Sequence, residues 1–284
     1  MNEETKDIKI PIKAIVEQAM MSNGAKYEED EFNLLRKYFI ACLNLGYMMP
    51  EDLNTMVNKF ATRIKFIVLN YNNVNKLDYY TINNGILYIS GRLKDDNFSF
   101  YQINFYKAVT EVVWNSNDKH VGISNALTEM TAEKIYNMDV NGSRIIMPRT
   151  EYETLGQNKL QVRAGYINYN LIISLTKQLF ISKSINENIV IKDMFFKGYD
   201  EVINSLFKDN NSILLLEVLD KISIMYINRK IKNVQNENEK MLIDKYQIII
   251  NDSFTIANQN YFAFCALITT DELRELCMKK IIKE

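Results

Sequence analysis

The sequence predicts a mostly α protein with one small β-sheet, an α+β chain, and three observations lead there. Across 284 residues there are only nine Gly and three Pro, so helices meet few breakers. Apolar residues recur three to four apart over most of the length, as on helices with one buried face. The exception surrounds Asn83-Asn84-Gly85, where aromatic and β-branched runs flank an Asn-Gly turn and read as a β-hairpin.

The elements follow in order. Phe32, Leu35, Phe39 and Leu43 give Asp30 to Leu45 an apolar face, and Gly46 is placed as its C-cap. Pro50 fits a first helical position, Glu51 and Asp52 suit the positive end of the helix dipole, and Leu53, Met56, Val57, Phe60 and Ile64 continue one face. These two segments form a helical hairpin. After the polar stretch Asn70 to Lys76 come the hairpin strands, Tyr79 to Ile82 and Ile86 to Ile89. Helices are then predicted over Phe98 to Trp114 and Ile123 to Met138, with the polar loop Asn115 to Gly122 between them. From Thr150 on, the pattern through Leu155, Tyr166, Leu171, Leu175 and Leu179 fits amphipathic helices. So do the runs Met194 to Phe207, Ile213 to Ile231, Glu237 to Ile250 and Asp271 to Ile282.

Composition narrows function by exclusion. With 34 Lys+Arg against 35 Asp+Glu the net charge is -1, which leaves no basic footprint for nucleic acid. Cys42, Cys265 and Cys277 form no metal-binding or redox spacing and read as buried, reduced thiols. The single histidine, His120, excludes any site that needs two imidazoles. The acidic N-terminus lacks a secretory signal and the apolar windows are too short to span a bilayer, so the expectation is a cytoplasmic protein without membrane contact. The bias toward Asn, Ile, Lys and Tyr is that of an AT-rich bacterial coding sequence. No glycine-rich phosphate loop is present.

Few residues stand out for chemistry. Lys107 and Glu111 are an i, i+4 pair, by itself worth only about 0.3 kcal/mol on a solvated helix. His120, in its polar loop, reads as a solvated residue before it reads as a base. Cys265 sits in an apolar run, Trp114 reads as a packing anchor, and Asn228 to Asn233 is a short basic patch.

Order adds something that single residues do not. The hairpin, the helix Phe105-Tyr106-Lys107-Ala108-Val109-Thr110-Glu111-Val112-Val113 and the segment Ile123 to Ile135 resemble the core of gluzincin-type zinc metallopeptidases. In that family the first helix carries His-Glu-x-x-His and the second supplies a glutamate ligand. The apolar and threonine positions agree here, among them Val109, Thr110, Leu127 and Thr128. The metal-binding positions do not: Lys107 and Glu111 stand where the two His ligands would be, Ala108 where the general base would be, and Asn125 where the ligand Glu would be. Glu129, which in the family orients a ligand, is kept. A protonated lysine has no lone pair to donate and alanine cannot activate water, so no zinc and no cofactor are expected.

The resemblance therefore implies a zincin-like core over residues 76–210, between helical segments at 1–75 and 211–284, with a single domain as the alternative. It further implies a non-catalytic pseudo-metallopeptidase that binds a protein or peptide, with the hairpin strand able to hold extended chains. A salt bridge among Lys107, Glu111 and Glu129 would replace zinc as the clamp between the two helices. Two rivals stay open: a hydrolase built on Glu111, Glu129 and His120, and an unrelated helical interaction protein, which the absence of a hairpin packed on the 98–114 helix would favour.

Overall fold

The computed structural model describes residues 4–71, 79–116, 120–139, 149–155, 158–164 and 170–232, with Met241 and Lys245. Their internal contacts divide them into two compact units. The first holds residues 4–71, 79–116, 130–139 and 191–199, and the second holds 120–129, 149–155, 158–164, 170–190 and 200–232. Most described residues are helical, and one three-stranded sheet accompanies them, as the α+β expectation required.

In the first unit, α1 (Glu4–Asn23), α2 (Glu29–Asn44) and α3 (Leu53–Arg63) precede the sheet. α2 begins on Glu29, Asp30 and Glu31, acids that suit its N-terminal dipole. It ends at Gly46 in the left-handed region (φ 69°), with the Tyr47 N–H on the Cys42 carbonyl at 3.0 Å, which is the cap the sequence predicted. Pro50 opens a single 3-10 turn, Pro50–Asp52, rather than the α-helix itself, and Asp52 accepts the Met49 N–H at 3.0 Å.

The chain then departs from expectation. Ile64 is already extended, and Phe66–Asn70 forms strand β1. β1 pairs in parallel with β3 (Ile86–Ser90), which pairs antiparallel with β2 (Tyr80–Asn83), giving the order β1-β3-β2. The predicted hairpin is present, with Asn84 (φ 48°) and Gly85 (φ 77°) both left-handed, as a two-residue turn of this kind demands. β1 escaped the sequence reading because its partner lies twenty residues away, and parallel pairing leaves no local turn signal. Helices α1 and α4 (Gly91–Asp96) were likewise not predicted.

Helix α5 (Phe98–Trp114) has the predicted bounds and forms the centre of this unit. Asn97 caps it by accepting the Phe100 N–H at 3.1 Å, and Asn115 ends it in the left-handed conformation (φ 55°). Every residue from Tyr101 to Trp114 is buried except Glu111, so the helix is enclosed on all sides. The polar groups on it are matched accordingly. The Tyr101 hydroxyl donates to Glu31 at 2.6 Å, and Lys94 of α4 holds the same carboxylate oxygen and Asp30 of α2, each at 2.9 Å. Thr110 and Tyr38 share a hydrogen bond of 2.9 Å. Gln102 and Tyr106 reach Asp139 at 2.6 and 3.1 Å. From α3, Arg63 and Lys59 donate to the carbonyls of Val112 and Phe195, both near helix C-termini where a cation suits the dipole. Trp114 is fully buried against Phe195, the packing anchor the sequence predicted, and Cys42 is a buried free thiol.

The second unit contains the first half of α6 (Val121–Asp139), whose latter half belongs to the first unit. It also holds β4 (Arg149–Leu155), β5 (Asn158–Ala164), α7 (Asn170–Ser182) and α10 (Asn210–Lys232). Here the helical reading from Thr150 holds over Leu171, Leu175 and Leu179, which lie on α7, and Tyr166 is outside the described residues. It fails as far as Leu155, since β4 and β5 form an antiparallel hairpin with seven paired positions. Arg-Thr-Glu-Tyr-Glu-Thr-Leu alternates with period two and is rich in β-branched and aromatic residues, and that pattern outweighs isolated apolar matches at helical spacing. The predicted single helix Met194 to Phe207 is two, α8 (Glu187–Lys197) and α9 (Tyr199–Leu206). Gly198 at φ 85° breaks it, and a Cβ there would lie 3.2 Å from the Trp114 carbonyl. α10 confirms the predicted helix over Ile213 to Ile231. Asp209 caps it through Ser212, whose hydroxyl and backbone N–H hold the Asp209 carboxyl down at about 2. The helices expected over Glu237 to Ile250 and Asp271 to Ile282, and Cys265 and Cys277, lie outside the described residues.

Lys94→Met leaves the Glu31 carboxylate, 2% exposed, without its cation. The expected cost is about 3 kcal/mol in urea unfolding followed by the fluorescence of Trp114, with most of it restored when Glu31→Gln is added. A loss below about 1 kcal/mol would mean that the Tyr101 hydroxyl alone satisfies the carboxylate.

Candidate functional site

The positions singled out in the sequence fall in two places. Lys107, Ala108 and Glu111 lie on α5 in the first unit, and Asn125 and Glu129 lie on α6 in the second. On α5, Ala108 is fully buried and Lys107 is 3% exposed, so both side chains are enclosed. An ammonium that deeply placed needs electrostatic compensation. Part of it comes from the edge strand. Lys107 Nζ lies 5.9 Å from the ring centroid of Tyr80 on β2, a distance at which the ring face attracts a cation. The Tyr80 hydroxyl donates to Glu111 Oε2 at 2.6 Å, a short bond to a charged acceptor. One tyrosine thus meets both members of the i, i+4 pair, its ring facing Lys107 and its hydroxyl facing Glu111.

This arrangement follows from local sequence. Asn84-Gly85 sets the hairpin register, so Tyr80 stands opposite Ile89 and Ile82 opposite Leu87. Alternation in a strand then places Tyr80, Leu87 and Ile89 on the buried face, where all three are within 6% of full burial. The sequence expectation joined Lys107, Glu111 and Glu129 in one salt bridge and missed Tyr80. The signal available was that inward alternation, which directs one strand tyrosine toward the following helix.

On α6, Glu129 is 3% exposed and Asn125 is half-buried. The start of this helix is fixed by Asp220 of α10. One carboxylate oxygen accepts the Gly122 N–H at 2.8 Å and the other lies 3.1 Å from His120 Nδ1. His120 takes a left-handed backbone (φ 54°), and its carbonyl accepts the Ser124 N–H at 3.0 Å in the first turn. The histidine is therefore held by a carboxylate at a helix start and is not a free loop residue. Gly122 allows the approach, since a Cβ there would lie 3.0 Å from the Leu219 carbonyl. Burial pushes the Asp220 carboxyl above the usual carboxylate range, against the hydrogen bonds from Gly122 and His120 that pull it down.

Among the described residues, no group of three or more His, Cys, Asp or Glu is placed to hold a metal ion, and no helix is long and apolar enough to cross a membrane. No family model, curated protein or solved structure matches this chain.

Two outcomes are expected. Tyr80→Phe keeps the ring beside Lys107 but strips the donor from Glu111, so thermal unfolding should register a loss of about 1 kcal/mol. Lys107→Ala should cost more, and an unchanged stability there would dismiss Lys107 as a clamp. For Asp220 the folded carboxyl is raised, so its contribution is fully present below the ordinary carboxylate pKa and is lost as pH rises through the raised value. Asp220→Asn, which can still accept from Gly122, should therefore flatten the pH dependence of melting above about pH 4 and be no less stable than the parent at neutrality. A variant that melts lower at pH 7 with its pH profile unchanged would show that the ion pair with His120 outweighs the burial cost.

Proposed function

We propose that this protein is a non-catalytic, zincin-like module that binds a protein or peptide partner along strand β2. One observation carries the reading: the antiparallel edge strand of the hairpin, separated from the motif-bearing helix by β3 and α4, meets that helix through Tyr80 and Glu111. The order of strand, helix, loop and helix is that of the gluzincin core, and a hairpin seated on the 98–114 helix argues against a purely helical interaction protein. The chemistry at the family's ligand positions argues against a hydrolase. Lys107 cannot ligate a metal while protonated, and Ala108 offers no base.

β2 is at one edge of the sheet among the described residues. Its ladder pairs Asn83 with Ile86 across the two-residue turn, and the Ser90 N–H donates to the Tyr79 carbonyl. The N–H and C=O of Ile82, between those rungs, therefore point out of the sheet, where an extended chain can add as a further strand. Fixed charge at Lys107 and Glu111 would set the polarity beneath that chain.

Panning a random heptapeptide library on the whole protein should yield binders. Ile82→Pro, which removes the outward N–H without touching the ladder, should weaken them about tenfold or more. Equal binding by the proline variant would sink the strand-addition reading. Stoichiometric zinc in protein purified without chelator, measured by elemental mass spectrometry, would return these residues to the status of an active site.

A further inference from the structure

The first unit also carries an open groove of about 670 Å³ between α1 and α2, apart from β2 and α5. Met20, Tyr27 and Phe32 are among its apolar lining residues, with Met21, 83% exposed, beside them. Charges edge it on both helices. On α1, Lys13 and Glu17 neutralise one another at 3.7 Å. On α2, Glu29 and Arg36 have opposite signs, and neither has an ion-pair partner among the described residues. They stand seven residues apart, two helical turns or about 10 Å along the axis. Phe32 lies between them on the same face.

Arg36 is partly pre-positioned. Its guanidinium lies 5.8 Å from the Phe32 ring centroid, Nη1 donates to Asn33 at 3.1 Å, and Nε is buried. The planar group retains its remaining Nη donors for a carboxylate, at the end of the groove opposite the acid. The complement of such a groove is a molecule with an ammonium at one end, a carboxylate at the other and apolar matter between, about 10 Å long. An extended tripeptide has that length, at roughly 3.4 Å per residue, and the groove volume lies in the range of small-ligand sites.

We propose that the α1–α2 groove binds short, free-ended apolar peptides of about three residues, with the N-terminal ammonium at Glu29 and the C-terminal carboxylate at Arg36. This site does not depend on the reading of β2, and Ile82→Pro should leave it intact. The test is calorimetric titration of the full chain with trileucine, its N-acetyl form and its C-terminal amide. Capping either end should weaken binding about threefold or more. In Glu29→Gln the acetyl cap should make no further difference, and in Arg36→Gln the amide should make none. Because the caps are placed on the peptide, the unaltered protein alone decides the first half of the test. Absence of binding at millimolar trileucine, equal binding of the capped forms, or cap sensitivity that survives both substitutions would each overturn the proposal. Tighter binding of a capped amphipathic helical peptide than of trileucine would overturn it too, making the groove a helix dock.

Discussion

Burial of α5 on every side constrains the rest of the first unit. A helix with one wet face can leave its polar residues to solvent, but from Tyr101 to Trp114 α5 has none, and most of its polar side chains find partners in neighbouring elements. Asn104 instead turns back to the Phe100 carbonyl, and Trp114 Nε1 has no hydrogen-bond partner among the described residues. The partners come from separate directions. Glu31 and Lys94 answer Tyr101, Tyr38 answers Thr110, Asp139 answers Gln102 and Tyr106, and Tyr80 answers Glu111. Two pairings fix α5 against α2, with α4 tied to the first through Lys94, and the others fix it against the latter half of α6 and the hairpin, so these elements are located by hydrogen bonds as well as by packing. Apolar burial drives the assembly and tolerates sliding, whereas directional bonds in a low-dielectric interior specify one arrangement.

Legibility in the sequence tracked the range of the interaction concerned. α5 was readable to the residue because its N-cap, its apolar content and the polar segment that ends it are all local. The hairpin was readable because Asn84-Gly85 encodes a turn that joins two adjacent strands. β1 was not, since only its parallel partner makes Phe66–Asn70 a strand and not the tail of α3. β4 and β5 were missed for another reason: their alternation was present, but isolated leucines at helical spacing were weighed above it. The break at Gly198 was equally visible as a glycine, yet only the proximity of the Trp114 carbonyl explains why the chain turns there.

The candidate site was half legible. Positions 107, 108 and 111 could be named from the order of elements; the structure buries Lys107 and Ala108 and leaves Glu111 half-buried on the Tyr80 hydroxyl of the edge strand. What the sequence could not supply was the third party. A lysine and a glutamate one turn apart satisfy the helical pairing rule, and nothing in that rule announces a tyrosine from a strand whose ring and hydroxyl address the two charges separately. His120 is a similar case. Its neighbours suggested a solvated loop, whereas its partner, Asp220, comes from a hundred residues away and also holds the Gly122 N–H.

The contrast between positions 108 and 107 bears on what this part of the molecule is for. At 108 the side chain is alanine, which fills its place in the core at no electrostatic cost. A methionine or leucine at 107 would do the same, and replacing buried charge by apolar residues is commonly neutral or stabilising. The chain instead holds an ammonium at 3% exposure, with a carboxylate one turn on and an aromatic ring between them and the edge strand. Stability alone does not favour that choice. A buried lysine with a half-buried glutamate one turn on does something apolar residues cannot: it penalises hairpin positions other than the one in which Tyr80 meets both groups, because a slip takes the ring from Lys107 and the donor from Glu111. The retained polarity of α5 thus fixes where β2 sits.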